Sequence, residues 1–237
     1  MENEFYNILK KDYRLVKLLH KSDKGKCVLY RHRQLEKNIV IHILNNASTD
    51  VYSVLKRIRH RNITEVFEVL EINGQTVIIE EYINGITLAE ISETMSPIGV
   101  KRILLQLCDG LSALHSVGIV YRDITLNNIM LTNDGIVKII DFDIAKLFKS
   151  SDTIDNNTMG TMGYAPFEQF GLNRTDEHSD IFAVGVIANL LLTGKHPSVK
   201  IFTKGRLGKF IRICTNINQY ERFDSADDIL NFLKQYI

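Results

Sequence analysis

The 237-residue chain has little cysteine: Cys27, Cys108 and Cys214 are widely spaced and odd in number. That spacing excludes a disulfide framework and paired metal-ligand motifs, and fits reduced thiols in a cytoplasmic setting. Charge of one sign is also lacking, since 29 Lys and Arg face 28 Asp and Glu for a formal net charge of +1. So even a balance calls for neither nucleic acid nor an anionic membrane as partner. The one basic run, Lys56-Arg57-Ile58-Arg59-His60-Arg61, is interleaved with Leu55, Ile58 and Ile63. It reads as the buried face of a helix and its exit, not as a nucleic-acid patch. Long apolar runs are missing too. The longest, 181–192, ends at Thr193-Gly194 and has the length of a core helix, short of a membrane span. The opening Met1-Glu2-Asn3-Glu4-Phe5 lacks signal-peptide character, and no internal repeat or low-complexity segment occurs.

What is present is an ordinary globular composition, 45% hydrophobic and 24% charged, on a chain long enough for one large domain or two lobes. Strands are expected at 13–19, 26–31 and 38–44, and a hairpin at 66–72 and 75–82 around Asn73-Gly74, a strong two-residue turn signal. A single short helix at 51–59 interrupts them, with Asp50 as its N-cap. After Asn84-Gly85 the pattern becomes helical. Ser96-Pro97 supplies an N-cap and a first-turn proline, and Val100, Ile103, Leu104, Leu107, Leu111 and Leu114 recur at helical spacing until Gly118. Short strands at 129–132 and 137–140 flank Asn133-Asp134-Gly135. A polar loop over 149–159, an apolar helix from Asp180 and a last helix over 225–236 complete the chain. The class is α+β, with a sheet lobe over 1–83, a helical lobe over 84–237 and a cleft near 82–85.

The chemistry-bearing residues lie in the second part. Tyr121-Arg122-Asp123-Ile124-Thr125-Leu126-Asn127-Asn128 places a carboxylate and an amide on one tight loop. A carboxylate can accept a proton, and an amide oxygen can ligate a hard cation. A second acid stands in Asp141-Phe142-Asp143, directly after an apolar strand. Further on come Gly160-Thr161-Met162-Gly163-Tyr164-Ala165-Pro166-Phe167-Glu168-Gln169, Ser179-Asp180-Ile181-Phe182 and Glu221-Arg222-Phe223.

In this order and spacing the segments resemble the protein kinases: H-R-D-x-x-x-x-N, D-F-G, A-P-E and the helix that braces the catalytic loop. The resemblance runs from 13 to 232 and looks most like the eukaryotic-like serine/threonine kinases of bacteria. It implies a bilobal protein-kinase-like fold, with a small antiparallel-sheet N-lobe and a larger helical C-lobe. It also implies ATP and Mg2+ (or Mn2+) as cofactors, and γ-phosphate transfer to a Ser or Thr hydroxyl of a protein substrate. Asp123 then stands as the catalytic carboxylate, and Arg122 beside it as the arginine that meets a loop phosphate. Thr125 stands where many such kinases keep a lysine. Asn128 and Asp141 would hold the metal, Glu168 would pair with Arg222, and Asp180 would brace the loop. Ser150, Ser151, Thr153 and Thr158 are candidate phosphosites.

The first lobe departs from the family. Aligning 38–44 with V-A-I-K puts His42 at the phosphate-binding lysine, and the glycine-rich loop keeps only Gly25. Glu81 and Ile83 fall at the adenine hinge. Glu80 falls behind the adenine, where an inward glutamate is costly unless paired, and it is expected to meet His42 across the cleft. A structural histidine at 42 and a plain hairpin glycine at 25 stand beside the nucleotide-binding readings. Tyr121 replaces the usual histidine, and Asp143 stands where glycine normally permits unusual backbone angles. These losses imply a slower enzyme. Two other classes compete: a pseudokinase acting as a nucleotide-responsive binding module, and a small-molecule phosphotransferase. The latter shares the D-x-x-x-x-N loop but is not expected to carry Arg122, the segment ending at Glu168 or the Asp180 helix.

Overall fold

The computed structural model describes residues 2–45, 49–148, 161–166, 169 and 176–235. They form two compact units, 1–60 with 64–84, and 61–63 with 85–237.

The first unit is a five-stranded antiparallel sheet in the order β1-β2-β3-β5-β4. Its strands are β1 Tyr13–Ser22, β2 Gly25–His32, β3 Asn38–Asn45, β4 Val66–Ile72 and β5 Gln75–Glu81. The β4–β5 turn has Asn73 and Gly74 both at positive φ (53° and 72°), the backbone that a two-residue hairpin loop requires. Alternation along β3 sends Ile39, Ile41 and Ile43 to one face, where they join Val77 and Ile72 in a core. Helix α1, Glu2–Asp12, covers that face with Phe5, Tyr6 and Leu9. Burying an isoleucine of this kind stabilises by about 1.5–3 kcal/mol.

This helix corrects the expectation of a single helix in the first lobe. Its signal was present in the spacing of Phe5 and Leu9 and in Lys10 and Lys11 at the C-terminal end. Helix α2 is also shorter than expected, Asp50–Leu55. Arg57 N bonds to Val54 O and Ile58 N to Leu55 O, each at 2.9 Å, and these tight i→i−3 bonds close the last turn. Thr49, not Asp50, occupies the N-cap position, and Asp50 sits in the first turn.

The second unit gathers helices α3 Pro97–Ser116, α4 Glu177–Thr193, α5 Gly205–Cys214 and α6 Ala226–Lys234. Two small sheets accompany them. One orders β6 Gly85–Thr87, β8 Ile129–Thr132 and β9 Val137–Ile139; the other pairs β7 Ile119–Val120 with β10 Lys146–Leu147. Ser96 caps α3 by accepting from Gly99 N at 3.2 Å. The segment 61–63 belongs here because Ile63 bridges to Ile139, and Asn62 exchanges bonds with β9 (Ile139 N to Asn62 O, Asn62 Nδ2 to Val137 O, both 2.8 Å). Helix α4 is buried nearly all round and begins earlier than expected, because Asp176 accepts from His178 N and caps it. Helix α5 was not expected. Phe210, Ile211 and Cys214 form its buried face. No helix among the described residues is long and apolar enough to cross a membrane.

Candidate active site

The loop 121–128 connects β7 to β8, and Asp180 near the start of α4 fixes its first residues. The Asp180 carboxylate, 1% exposed, accepts from Arg122 N at 2.7 Å and Tyr121 N at 2.9 Å. His115 Nε2, at the end of α3, lies 2.9 Å from the same carboxylate. Burial opposes charge on His115, but the Asp180 bond and the charges of Asp180 and Glu177 outweigh it and raise its pKa. His115 was not singled out in the sequence, although it is the polar residue that closes the apolar stripe of α3.

Tyr121 is fully buried. It meets Phe142 edge to face at 5.2 Å between ring centroids and donates its hydroxyl to Ile140 O at 2.5 Å. Burial and then the charges of Asp141, Asp123 and Asp180 push its phenol well above the ordinary value, so it remains a donor. Tyr121 thereby ties the 121–128 loop to the segment that carries Asp141.

Strand pairing brings the metal-binding candidates together. Ile129 pairs with Ile139, and Ile140 N donates to Asn128 O at 3.0 Å, so Asn128 and Asp141 come to the same end of the β8–β9 hairpin. Asn128 Nδ2 donates to Asp123 Oδ2 at 2.7 Å and to Asp123 O at 3.0 Å. Thr161 donates its hydroxyl to Asp123 Oδ1 at 2.6 Å. Both oxygens of Asp123 are thus held in place. Thr161 is in turn placed by a turn whose Gly163 O lies 2.7 Å from His196 Nε2. An amide oxygen from Asn128 and a carboxylate from Asp141 would be hard oxygen donors of the kind that magnesium or manganese takes.

The backbone strain expected at Asp143 lies elsewhere. Asp141 has φ 63° and Arg122 φ 72°, whereas Asp143 is not among the residues with positive φ. Aspartate therefore carries no left-handed penalty at 143, and its amide donates to Asp141 Oδ1 at 3.2 Å. Thr125 is buried at 3% exposure, and its carbonyl accepts from Asn128 N at 3.2 Å. Arg122 is buried, and its carbonyl accepts from Gln169 Nε2 at 2.6 Å.

Glu168 and the candidate phosphosites Ser150, Ser151, Thr153 and Thr158 lie outside the described residues. Arg222 is buried, with Nε donating to Asn216 O and Nη1 to His178 O, both at 2.8 Å. Its guanidinium stacks 4.9 Å from the Phe182 ring centroid.

In the first unit, Gly25 has φ 153°, and a Cβ there would stand 2.2 Å from Ile43 O, so the β2–β3 approach itself requires glycine. His42 Nε2 lies 2.7 Å from Glu80 Oε1, but not across a cleft as expected. The two belong to neighbouring strands of one sheet, where Val40 pairs with Glu80 and His42 with Ile78. They are diagonal neighbours on one face. Glu81 N donates to Glu65 O at 2.9 Å, its carboxylate accepts from Glu65 N at 3.3 Å, and Ile83 is buried.

Residues 13–236 match the protein kinase domain family, and the chain belongs to that family. It is 31% identical over 202 residues to the serine/threonine-protein kinase Pkn1 of Myxococcus xanthus, a match covering 78% of this chain and 29% of that protein. It is 35% identical over 151 residues to PknB of Corynebacterium glutamicum, named as a probable serine/threonine-protein kinase, covering 60% of this chain and 23% of that protein. A similarly named protein of Dictyostelium discoideum is 28% identical over 185 residues, 77% of this chain and 37% of the other. The chain spans well under half the length of these relatives. The family as a whole uses ATP and a divalent metal ion.

Proposed function

We propose that this chain is the catalytic domain of a serine/threonine protein kinase, transferring the γ-phosphoryl group of ATP to a protein hydroxyl more slowly than its relatives. The observation that carries the reading is Asp123, held by one oxygen to Thr161 and by the other to Asn128, at the end of the hairpin that also presents Asp141.

In this reading Asp123 orients the incoming hydroxyl and takes up its proton, while Thr161 and Asn128 keep the carboxylate from rotating. Asp180 supports the same geometry from below by holding two successive amides of the loop. Asn128 and Asp141 would hold the metal, which when bound draws charge from the phosphates. Gly25, His42 and the Glu81–Ile83 stretch are the proposed nucleotide contacts, Arg122 the proposed partner of a loop phosphate, and Glu168 the proposed partner of Arg222. Thr125 is proposed beside Asp123 in the place of the missing lysine. Phosphoryl transfer is mostly positioning and charge stabilisation, and one lost contact of that kind costs on the order of 10²–10³ in rate. His42 in the lysine's place therefore supports the slower rate. The balanced charge and buried, unpaired Cys108 and Cys214 support a cytoplasmic enzyme acting on protein, not nucleic acid.

One observation favours a second reading, a nucleotide-responsive binding module: the ring at position 42 is engaged by Glu80. Phosphate incorporation into a general protein substrate, measured beside Mg-ATP binding, separates the two. The kinase reading expects both to occur and incorporation to vanish in Asp123→Asn; binding with no incorporation in either protein overturns it.

A further inference from the structure

We propose that Glu80 is a positioning residue of the nucleotide site: it holds His42 by Nε2 and leaves Nδ1 as the atom that meets a nucleotide phosphate. This deepens the kinase reading above and rests on it.

The arrangement is built by the sheet. Strands β2, β3 and β5 are consecutive, Cys27 pairs directly with His42, and Glu80 lies one diagonal step away on the same face. His42 Nε2 is 2.7 Å from Glu80 Oε1 and 3.6 Å from Cys27 Sγ, and the side chains of His42 and Glu80 are 15% and 8% exposed. Nδ1 has no hydrogen-bond partner among the described residues. In protein kinases the cation on this strand is paired by a glutamate from the adjoining helix. Here α2 is six residues, Asp50–Leu55, and contains no glutamate. The counter-charge comes from the next strand instead, so the ladder assembles the pair without any movement of a helix.

Glu80 also decides what Nδ1 can do. A neutral ring that gives its one proton to Glu80 from Nε2 presents a bare lone pair at Nδ1, which repels a phosphate oxygen. A protonated ring presents an N–H there, which attracts one. Phosphate contact is then restricted to the charged ring. Burial disfavours that charge, but Glu80, with help from Cys27, outweighs burial and holds the ring's pKa well above its ordinary value. The groups acting on the ring are Glu80 from β5 and Cys27 from β2. Strand β1 contributes His20, paired opposite Cys27, and α2 brings no carboxylate within hydrogen-bond reach.

The test is Mg-ATP affinity across pH 6–9 for the wild-type chain, Glu80→Gln and His42→Lys, with His42 titrated by NMR in the first two. Wild-type affinity is expected to fall as pH rises through the folded His42 value. In Glu80→Gln the fall should move down by about one pH unit or more. His42→Lys, which keeps a cation throughout, should show a flat profile, and pH effects on ATP itself cancel in the comparison. A folded wild-type chain that binds no Mg-ATP at any pH rejects the nucleotide site and this inference together. A Glu80→Gln profile matching wild type, or a His42→Lys profile that falls like wild type, rejects the inference alone.

Discussion

Thr161 donates its hydroxyl to Asp123 across 2.6 Å, so the carboxylate of the 121–128 loop is held by a residue from 38 positions further along the chain. The bond fixes one carboxylate oxygen while Asn128 fixes the other.

Thr161→Ala removes the first restraint but leaves the loop anchored by Asp180. Phosphate transfer is expected to fall by about tenfold or more, with little change in urea unfolding, since Thr161 is exposed. Thr161→Ser, which keeps the hydroxyl, should recover most of the activity. Equal loss in both variants would show that the methyl group, not the hydrogen bond, matters.

Asp180→Asn keeps the shape but turns one acceptor oxygen into a donor that faces one of the two backbone N–H groups, and removes the charge from the other bond. Leaving buried donors unpaired costs about 1–3 kcal/mol each at most, so a loss of roughly 2–4 kcal/mol is expected in denaturant midpoint analysis. Activity should fall together with stability. A stable Asp180→Asn chain with normal transfer would contradict the bracing role.

His115 makes the brace pH-dependent. Its pKa is raised in the folded chain, because the Asp180 bond and nearby carboxylates outweigh burial. A raised cation contributes stability that is fully present below the unfolded value of about 6.5 and is lost as pH climbs through the folded value. Unfolding free energy of the wild type should therefore decline over that window, and His115→Gln should flatten the decline. An unchanged slope would remove His115 from the account.

Gly185 on α4 tests the packing of α5. A Cβ at this position would lie 2.5 Å from Cys214 Cβ and 2.9 Å from Thr215 Cγ2. Gly185→Ala should destabilise by about 1–3 kcal/mol through overpacking, despite alanine's better helix propensity. A stabilised variant would mean that α4 and α5 are further apart than described.

Much of this was legible in the sequence, for particular physical reasons. Helix α3 is announced by its cap, its proline and an unbroken stripe from Val100 to Leu114. Asn133-Asp134-Gly135 marks the β8–β9 turn, and that turn is what brings Asn128 and Asp141 to one end. Helix α1 carries its signal in Phe5, Leu9, Lys10 and Lys11 alone, far shorter than that of α3, and the apolar face of α5, Gly205–Cys214, reveals itself only against a partner surface. The partner of His42 could be guessed from the cost of burying Glu80, but not its route. Only the strand order, with β5 beside β3, shows that the two meet within the sheet. Backbone strain at Asp141 rather than Asp143 depends on a turn that residue types alone do not specify.

The most direct test is single-turnover transfer of labelled γ-phosphate from Mg-ATP, comparing the wild-type chain with Asp123→Asn under saturating nucleotide. Measurable transfer in the wild type and a loss of about 10²-fold or more in Asp123→Asn, with nucleotide affinity unchanged, is the expected result. Equal rates in the two proteins would show that Asp123 performs no chemistry in this chain.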